Sequence, residues 1–202
     1  MKLKILALSL CLSLSAPAMA GAGSAIGPFP PLGSSEEIND YNTLMNYQLT
    51  RTKKQCDLAG QEASANLEVF YGKLLTPAEL VRAKSKFKWL TVKTGLIILT
   101  QKKKYDRPRP YISHTDIKPC IELEGSTAYP SGHTTLGRVY GRVLSAMYPD
   151  RSDKFMKRSD EVALNRVIGG VHHPSDIEAG KKLGDAIADD YLDSGDKFYD
   201  QE

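Results

Sequence analysis

The sequence has no apolar run long enough to cross a bilayer. Beyond the first twenty residues, the densest apolar patch, Leu96-Ile97-Ile98-Leu99, falls far short of the ~20 residues that a spanning helix requires. Cysteine is scarce, with three residues in all, and none of them has the close Cys/His spacing of a zinc site. Paired strand patterns joined by hairpin turns are missing, and so are internal repeats. The net charge is only +3, too weak to suggest a nucleic-acid binder. These absences exclude a later membrane span, a cysteine-rich metal module, a hairpin-built β fold and a repeat array.

The amino terminus carries a different signal. Lys2 and Lys4 precede a mostly apolar stretch over residues 5–14, and Ala18-Met19-Ala20 supplies small residues for a signal peptidase. This reads as a secretory leader cut after Ala20. Cys11 lies inside the leader behind Leu10, where a lipoprotein signal would need a small residue. The expectation is a periplasmic or secreted protein with no membrane anchor in its mature form. Cys56 and Cys120 then remain as the one intramolecular pair. An oxidising compartment permits the bond, and the sequence leaves open whether they meet.

Residues 21–34, rich in Gly, Pro and Ala, read as an extended arm, and residues 35–202 as a single soluble domain. Helical spacing is expected over 36–67, with Tyr41, Leu44, Met45 and Leu49 as apolar positions and Ser35 as a cap. Thr76-Pro77-Ala78-Glu79 starts a second helix. It runs through Leu80, Val81, Phe87, Leu90, Val92 and Leu96 into a lysine run that suits the helix dipole. Prolines at 108, 110 and 119 keep residues 106–130 irregular. Helices are expected again over 134–148, 153–167 and 174–192. The class is all-α.

Three clusters carry chemistry. In the first, Lys102 is followed six spacer residues later by Arg109-Pro110, so a point charge and a planar fork could converge on one anion. In the second, Tyr129-Pro130-Ser131-Gly132-His133, backbone N–H groups of Ser131 and Gly132 are expected at a helix start, free to bind an anion, with His133 at the rim. In the third, Arg166 is followed by His172 and, four residues on, by Asp176. A carboxylate there would fix the imidazole tautomer and leave the other nitrogen free to attack. Each cluster alone has a bland reading: a solvated basic helix end, a capped helix, a structural His–Asp pair.

Their ordered combination resembles the tripartite signature of the PAP2 phosphatase and vanadium haloperoxidase superfamily. Lys102, Tyr105, Arg107, Arg109 and Pro110, with the proline-rich entry at residues 28–31, resemble bacterial class A non-specific acid phosphatases most. The resemblance implies a PAP2-like helical bundle and a phosphomonoesterase that needs no metal or other cofactor. It implies His172 as nucleophile, His133 as general acid and base, and Asp176 orienting His172. Lys102, Arg109, Ser131, Gly132 and Arg166 would hold the phosphate. The partner is then a small-molecule phosphomonoester, and the sequence is compatible with a homo-oligomer. This chain departs from the family's usual pattern at Asn165, where a serine is common, and at His173-Pro174 after the nucleophile. Thr127-Ala128 also lengthens the approach to Tyr129.

Two rival readings use the same residues. A vanadate-dependent haloperoxidase would hold vanadate on the matching histidine. A non-catalytic secreted protein would bind phosphate or phospholipid without turnover.

Overall fold

The computed structural model describes residues 21–194, so the leader expected over 1–20 and the last residues of the expected domain lie outside the described residues. Every regular element among the described residues is helical. The main ones are α1 (Ser35–Thr50), α2 (Lys53–Gln61), α3 (Leu67–Tyr71), α4 (Pro77–Tyr105), α5 (Pro110–Ser113), α6 (Gly132–Met147), α7 (Ser152–Ile168) and α8 (Pro174–Asp193). Short 3-10 turns occupy Gly72–Leu74 and Pro149–Arg151. No helix among the described residues is long and apolar enough to cross a membrane.

The single helix expected over 36–67 is broken. Arg51 is extended, and Thr52 starts α2 with a reciprocal capping box to Gln55, which satisfies two amides that a continuous helix would have bonded internally. The cap of α1 is Ser34, not Ser35; its hydroxyl accepts from the Glu37 N–H at 3.2 Å. The expected start of α4 does hold, with Thr76 and Glu79 forming a capping box around Pro77. Its buried face is the expected one only in part, at Phe87 and Leu90. Ala83, Phe87, Leu90, Thr94, Ile97, Ile98, Gln101 and Lys102 face inward, while Val81, Val92 and Leu96 are exposed. Polar Thr94, Gln101 and Lys102 interrupt the inward stripe and hide it from an apolar count.

Helix α6 is the central element, packed between α7 and α8. Val139, Tyr140, Val143 and Leu144 from α6 join Phe87 and Leu90 from α4, Phe155 and Val162 from α7, and Leu183 and Ile187 from α8 in one core. A smaller core joins Leu44, Ile117, Ala163, Val167 and Ile177. The approach of α8 to α6 is close because of Gly180: a Cβ there would lie 2.9 Å from the Ser131 carbonyl oxygen and 2.9 Å from the Thr134 Cβ. The start of α6 is thereby set directly against α8.

The N-terminal arm is part of this packing. Residues 21–23 are helical, and Ala22 and Ile26 are buried in the main core. The Tyr105 hydroxyl donates to the Ile26 carbonyl at 3.0 Å, and the Tyr129 hydroxyl to the Gly27 carbonyl at 2.7 Å.

Cys56 and Cys120 form a disulfide, with Cα atoms 5.8 Å apart. It joins α2 to the loop before α6, and the Cys120 N–H donates to the Gly169 carbonyl at 3.1 Å. The bond closes a loop between residues 64 positions apart, a span for which cross-linking stabilises a fold by about 2–4 kcal/mol. Reduction, or the paired Cys56→Ser and Cys120→Ser exchange, is expected to lower the thermal midpoint, measured by circular dichroism with and without reductant.

Candidate active site

The three sequence clusters meet at one end of the bundle. Lys102 comes from the last turn of α4, Arg107 and Arg109 from the loop beyond it, and Ser131, Gly132 and His133 from the start of α6. Arg166 ends α7, His172 sits on the connecting loop, and Asp176 lies in the first turn of α8. All are buried or nearly so, and a Tyr129–Pro130 cis peptide leads into Ser131. A turn at Gly170, with φ +78°, carries the chain from α7 to His172; this left-handed backbone favours glycine.

His172 is fully buried. Its Nδ1 lies 3.2 Å from Asp176 Oδ2, and its Nε2 lies 2.8 Å from an Arg109 guanidinium nitrogen. Arginine can only donate, so Nε2 bears the lone pair and the proton sits on Nδ1, facing the carboxylate. Burial, and then the charges of Arg109, Lys102 and Arg166, hold the imidazole pKa well below the ordinary histidine value. His172 is therefore a neutral base with its lone pair among three cations.

Asp176 is fixed from several sides. Its Oδ1 accepts from Arg107 at 2.7 Å, and its Oδ2 from the His173 backbone N–H at 2.8 Å. Its own carbonyl accepts the Ser131 N–H at 3.0 Å. Burial pushes its carboxyl pKa up to about 6, against the pull of Arg107 and the His173 N–H. Behind it, Arg107 also donates to Asp40 at 3.2 Å and to the Ser175 hydroxyl at 2.7 Å. Asp40 accepts the Ser175 N–H at 3.0 Å.

Two expectations for the second cluster need correction. The Ser131 N–H is not free for an anion, because the Asp176 carbonyl takes it. The Ser131 hydroxyl instead accepts from the Thr134 N–H at 3.4 Å and from its hydroxyl at 3.0 Å. The Gly132 N–H remains in the first turn of α6, ahead of the first intrahelical acceptor. His133 is not at an open rim but buried. Its Nε2 donates to the Glu62 and Ala63 carbonyls at 3.0 and 3.2 Å, which fixes the proton on Nε2 and turns Nδ1 toward the cluster. Burial and then Arg166 lower its pKa to about 4, despite Glu124 and the two carbonyls. His133 is thus neutral at neutral pH, so its role as general acid requires it to gain a proton.

The phosphate-binding candidates converge around a residue that sequence reasoning missed. Glu124 accepts from Arg109 at 2.7 Å and from Arg166 at 3.0 Å, and its carboxylate lies 3.8 Å from His133 Nδ1. Burial would raise its pKa, but Arg109, His133 and Arg166 hold it below the ordinary value. Lys102 donates to the Thr127 carbonyl, and burial and then Arg109 lower its pKa to about 8. A cavity of about 380 Å³, lined by Ala63, Ile121, Leu123, Glu124 and Arg166 among others, reaches this cluster. A cavity of about 510 Å³ lies between the arm, α1 and α8, but none of Lys102, Arg109, His133, Arg166 and His172 lines it. Asn165 lines a separate cavity beside Glu62, Phe70 and Arg158.

The fold and cluster define an all-α protein with a buried cationic pocket around a pair of histidines. The PAP2 superfamily matches residues 88–188, and the chain belongs to that superfamily. The non-specific acid phosphatase of Providencia stuartii is 32% identical over 167 residues, covering 76% of this chain and 67% of that protein. That of Salmonella typhimurium is 39% identical over 87 residues, 41% of this chain and 35% of that protein. The matched stretch is therefore about a third of the Salmonella relative's length. The fold resembles a bacterial vanadium-dependent iodoperoxidase, with TM-score 0.64, 17% identity, and coverage of 85% of this chain and 53% of that one. It also resembles a transmembrane PAP2-type phosphatidylglycerolphosphate phosphatase from Bacillus subtilis, with TM-score 0.58, 18% identity, and coverage of 91% and 94%.

The Arg107 cluster gives a direct test of how the site is held. Arg107→Ala would leave Asp40 and Asp176 buried without their cation, a change that destabilises by roughly 3–5 kcal/mol. Denaturant unfolding is expected to show a loss of that order; a loss under about 1 kcal/mol would mean that the carboxylates do not depend on this arginine.

Proposed function

We propose that the chain is a secreted phosphatase that hydrolyses phosphomonoesters through a phosphohistidine on His172, without a metal ion. One observation carries the reading: the His172 Nε2 lone pair lies within hydrogen-bond reach of Arg109, with Lys102 and Arg166 close enough to depress the ring's pKa. A neutral imidazole in a strongly positive pocket suits attack on an anionic phosphoryl group. The superfamily membership and the names of the acid phosphatase relatives point the same way.

In the first step the Arg109 N–H leaves Nε2 for a phosphoryl oxygen, which frees the lone pair; Nε2 attacks phosphorus, the phosphorus–nitrogen bond forms and the bond to the leaving alkoxide breaks. Asp176 stabilises the positive charge that develops on the ring. His133, with Nδ1 facing the pocket, gives a proton to the leaving oxygen. The incoming phosphate supplies the negative charge that raises the His133 pKa from about 4. In the second step neutral His133 takes a proton from water, and the resulting hydroxide displaces His172 from phosphorus. Lys102, Arg109, Arg166 and the Gly132 N–H stabilise the equatorial oxygens. An alcohol in place of that water would give phosphotransfer.

Hydrolysis of an aryl phosphate is the direct test. Activity is expected to withstand chelator, to be inhibited by vanadate, and to fall by roughly 10³-fold or more in His172→Ala. Chelator-sensitive activity would overturn the metal-free mechanism. Oxidation of halide by peroxide with added vanadate would favour haloperoxidase chemistry instead.

The pH dependence has a predicted shape. As pH falls through about 6, Asp176 gains a proton and no longer balances the charge on His172. As pH rises through about 8, Lys102 loses its charge. His133 must carry the proton it donates and has a pKa of about 4. The kcat/KM profile, which reports the free enzyme, is therefore expected to be a bell centred at about pH 5, between the His133 and Asp176 values, with a steeper alkaline fall above about 8 as Lys102 loses its charge. A profile flat from pH 4 to pH 10 would contradict these assignments.

A further inference from the structure

Glu124 sits where the proposed reaction needs phosphate oxygens. Its two carboxylate oxygens accept separately from Arg109, at 2.7 Å, and from Arg166, at 3.0 Å. The same carboxylate lies 3.8 Å from His133 Nδ1. It thus touches two cations assigned to phosphate and the group assigned to proton transfer. A planar carboxylate presents to an arginine much the same pair of acceptors as one edge of a phosphate.

The arginines do not need Glu124 to stay in place. Arg109 also donates to the Ser126 carbonyl at 2.7 Å, the Ser126 hydroxyl at 3.0 Å and the Val171 carbonyl at 2.9 Å. Arg166 donates to the Ala59 carbonyl at 3.3 Å. Nor does Glu124 satisfy the cradle: Arg166 Nε is buried without a hydrogen-bond partner, so a donor remains for an anion with more oxygens. Glu124 can also leave. It lies on the irregular loop between α5 and α6 and lines the 380 Å³ cavity. Gly125 follows it in open space, with nothing within 4 Å of where its Cβ would be.

We propose that Glu124 is a resident internal anion: it neutralises the phosphate cradle until substrate binds and must be displaced by the incoming phosphate group. The proposal rests on the phosphate reading of this site. Two buried guanidiniums without a counter-ion are unfavourable, and Glu124 supplies one until substrate arrives. Its displacement weakens phosphate binding, so Glu124 sets KM and the inhibition constant of the phosphate product. A residue that merely held the arginines in position would do the reverse, because its loss would disorder the cradle.

The test uses the full chain with Glu124→Gln and Glu124→Ala. The readouts are inhibition of aryl phosphate hydrolysis by inorganic phosphate and by orthovanadate, and the thermal midpoint with and without phosphate. Both variants are expected to bind phosphate about tenfold more tightly, equivalent to about 1.4 kcal/mol. Without phosphate they should melt below the parent, and saturating phosphate should raise their midpoints by more than it raises the parent's. Variants that fold, by circular dichroism, and bind phosphate no better than the parent would overturn the proposal while leaving the phosphatase reading intact. A parent that hydrolyses no phosphoester, yet is stabilised by phosphate less than both variants are, would sink the phosphatase reading and support this one. Phosphate that shifts no midpoint and inhibits no variant would overturn it.

Discussion

The Asp176 carboxylate is the point at which the separate parts of the site are tied together. Its Oδ1 is held by Arg107, its Oδ2 by the His173 amide and the His172 ring, and its backbone carbonyl by the Ser131 amide. One residue in the first turn of α8 thus fixes the orientation of His172, the loop after α4 and the start of α6. An acidic residue there also suits the positive end of the helix dipole. Arg107 carries the same network outward to Asp40 on α1. A buried carboxylate is tolerable only with such donors around it.

The electrostatics of the site follow from this division of labour. Arg107 is neutralised by two carboxylates behind His172, so it adds little field where phosphate would bind. Lys102, Arg109 and Arg166 face the other side of the ring, where Arg109 and Arg166 both pair with Glu124. The result is a carboxylate on the Nδ1 side of His172 and cations on the Nε2 side. The ring is polarised along the direction in which it would donate electrons. His133, held by two backbone carbonyls, has its own proton assignment fixed before any ligand arrives.

Much of this was legible in the sequence, for reasons of locality. The caps of α4 and the spacing within α6 and α8 are short-range signals, and so are the three motifs. Each places its residues on one helix end or one turn, and the fold then brings those ends together. The break between α1 and α2 was missed because the apolar spacing continues across Arg51 while a capping box at Thr52 interrupts the helix. The inward face of α4 was missed in part because Thr94, Gln101 and Lys102 lie on it. The charge state of His133 depends on burial and on carbonyls 70 and 71 positions away, which no local pattern reveals. Glu124 lies in an irregular loop between two motifs, and only the converging arginines identify it.

The N-terminal arm and α1 are made before α8, yet their polar partners lie far along the chain. Tyr129 meets Gly27 across 102 positions, Arg51 meets Ile168 across 117, and Asp40 meets Ser175 across 135. Contacts of such separation close large loops and form late in folding. The backing of the site therefore cannot assemble on a chain that stops short of α8: Asp40 waits for Ser175, and Arg107 waits for Asp176. The geometry of the site thus depends on contacts that can close only once the segment carrying Ser175 and Asp176 is present.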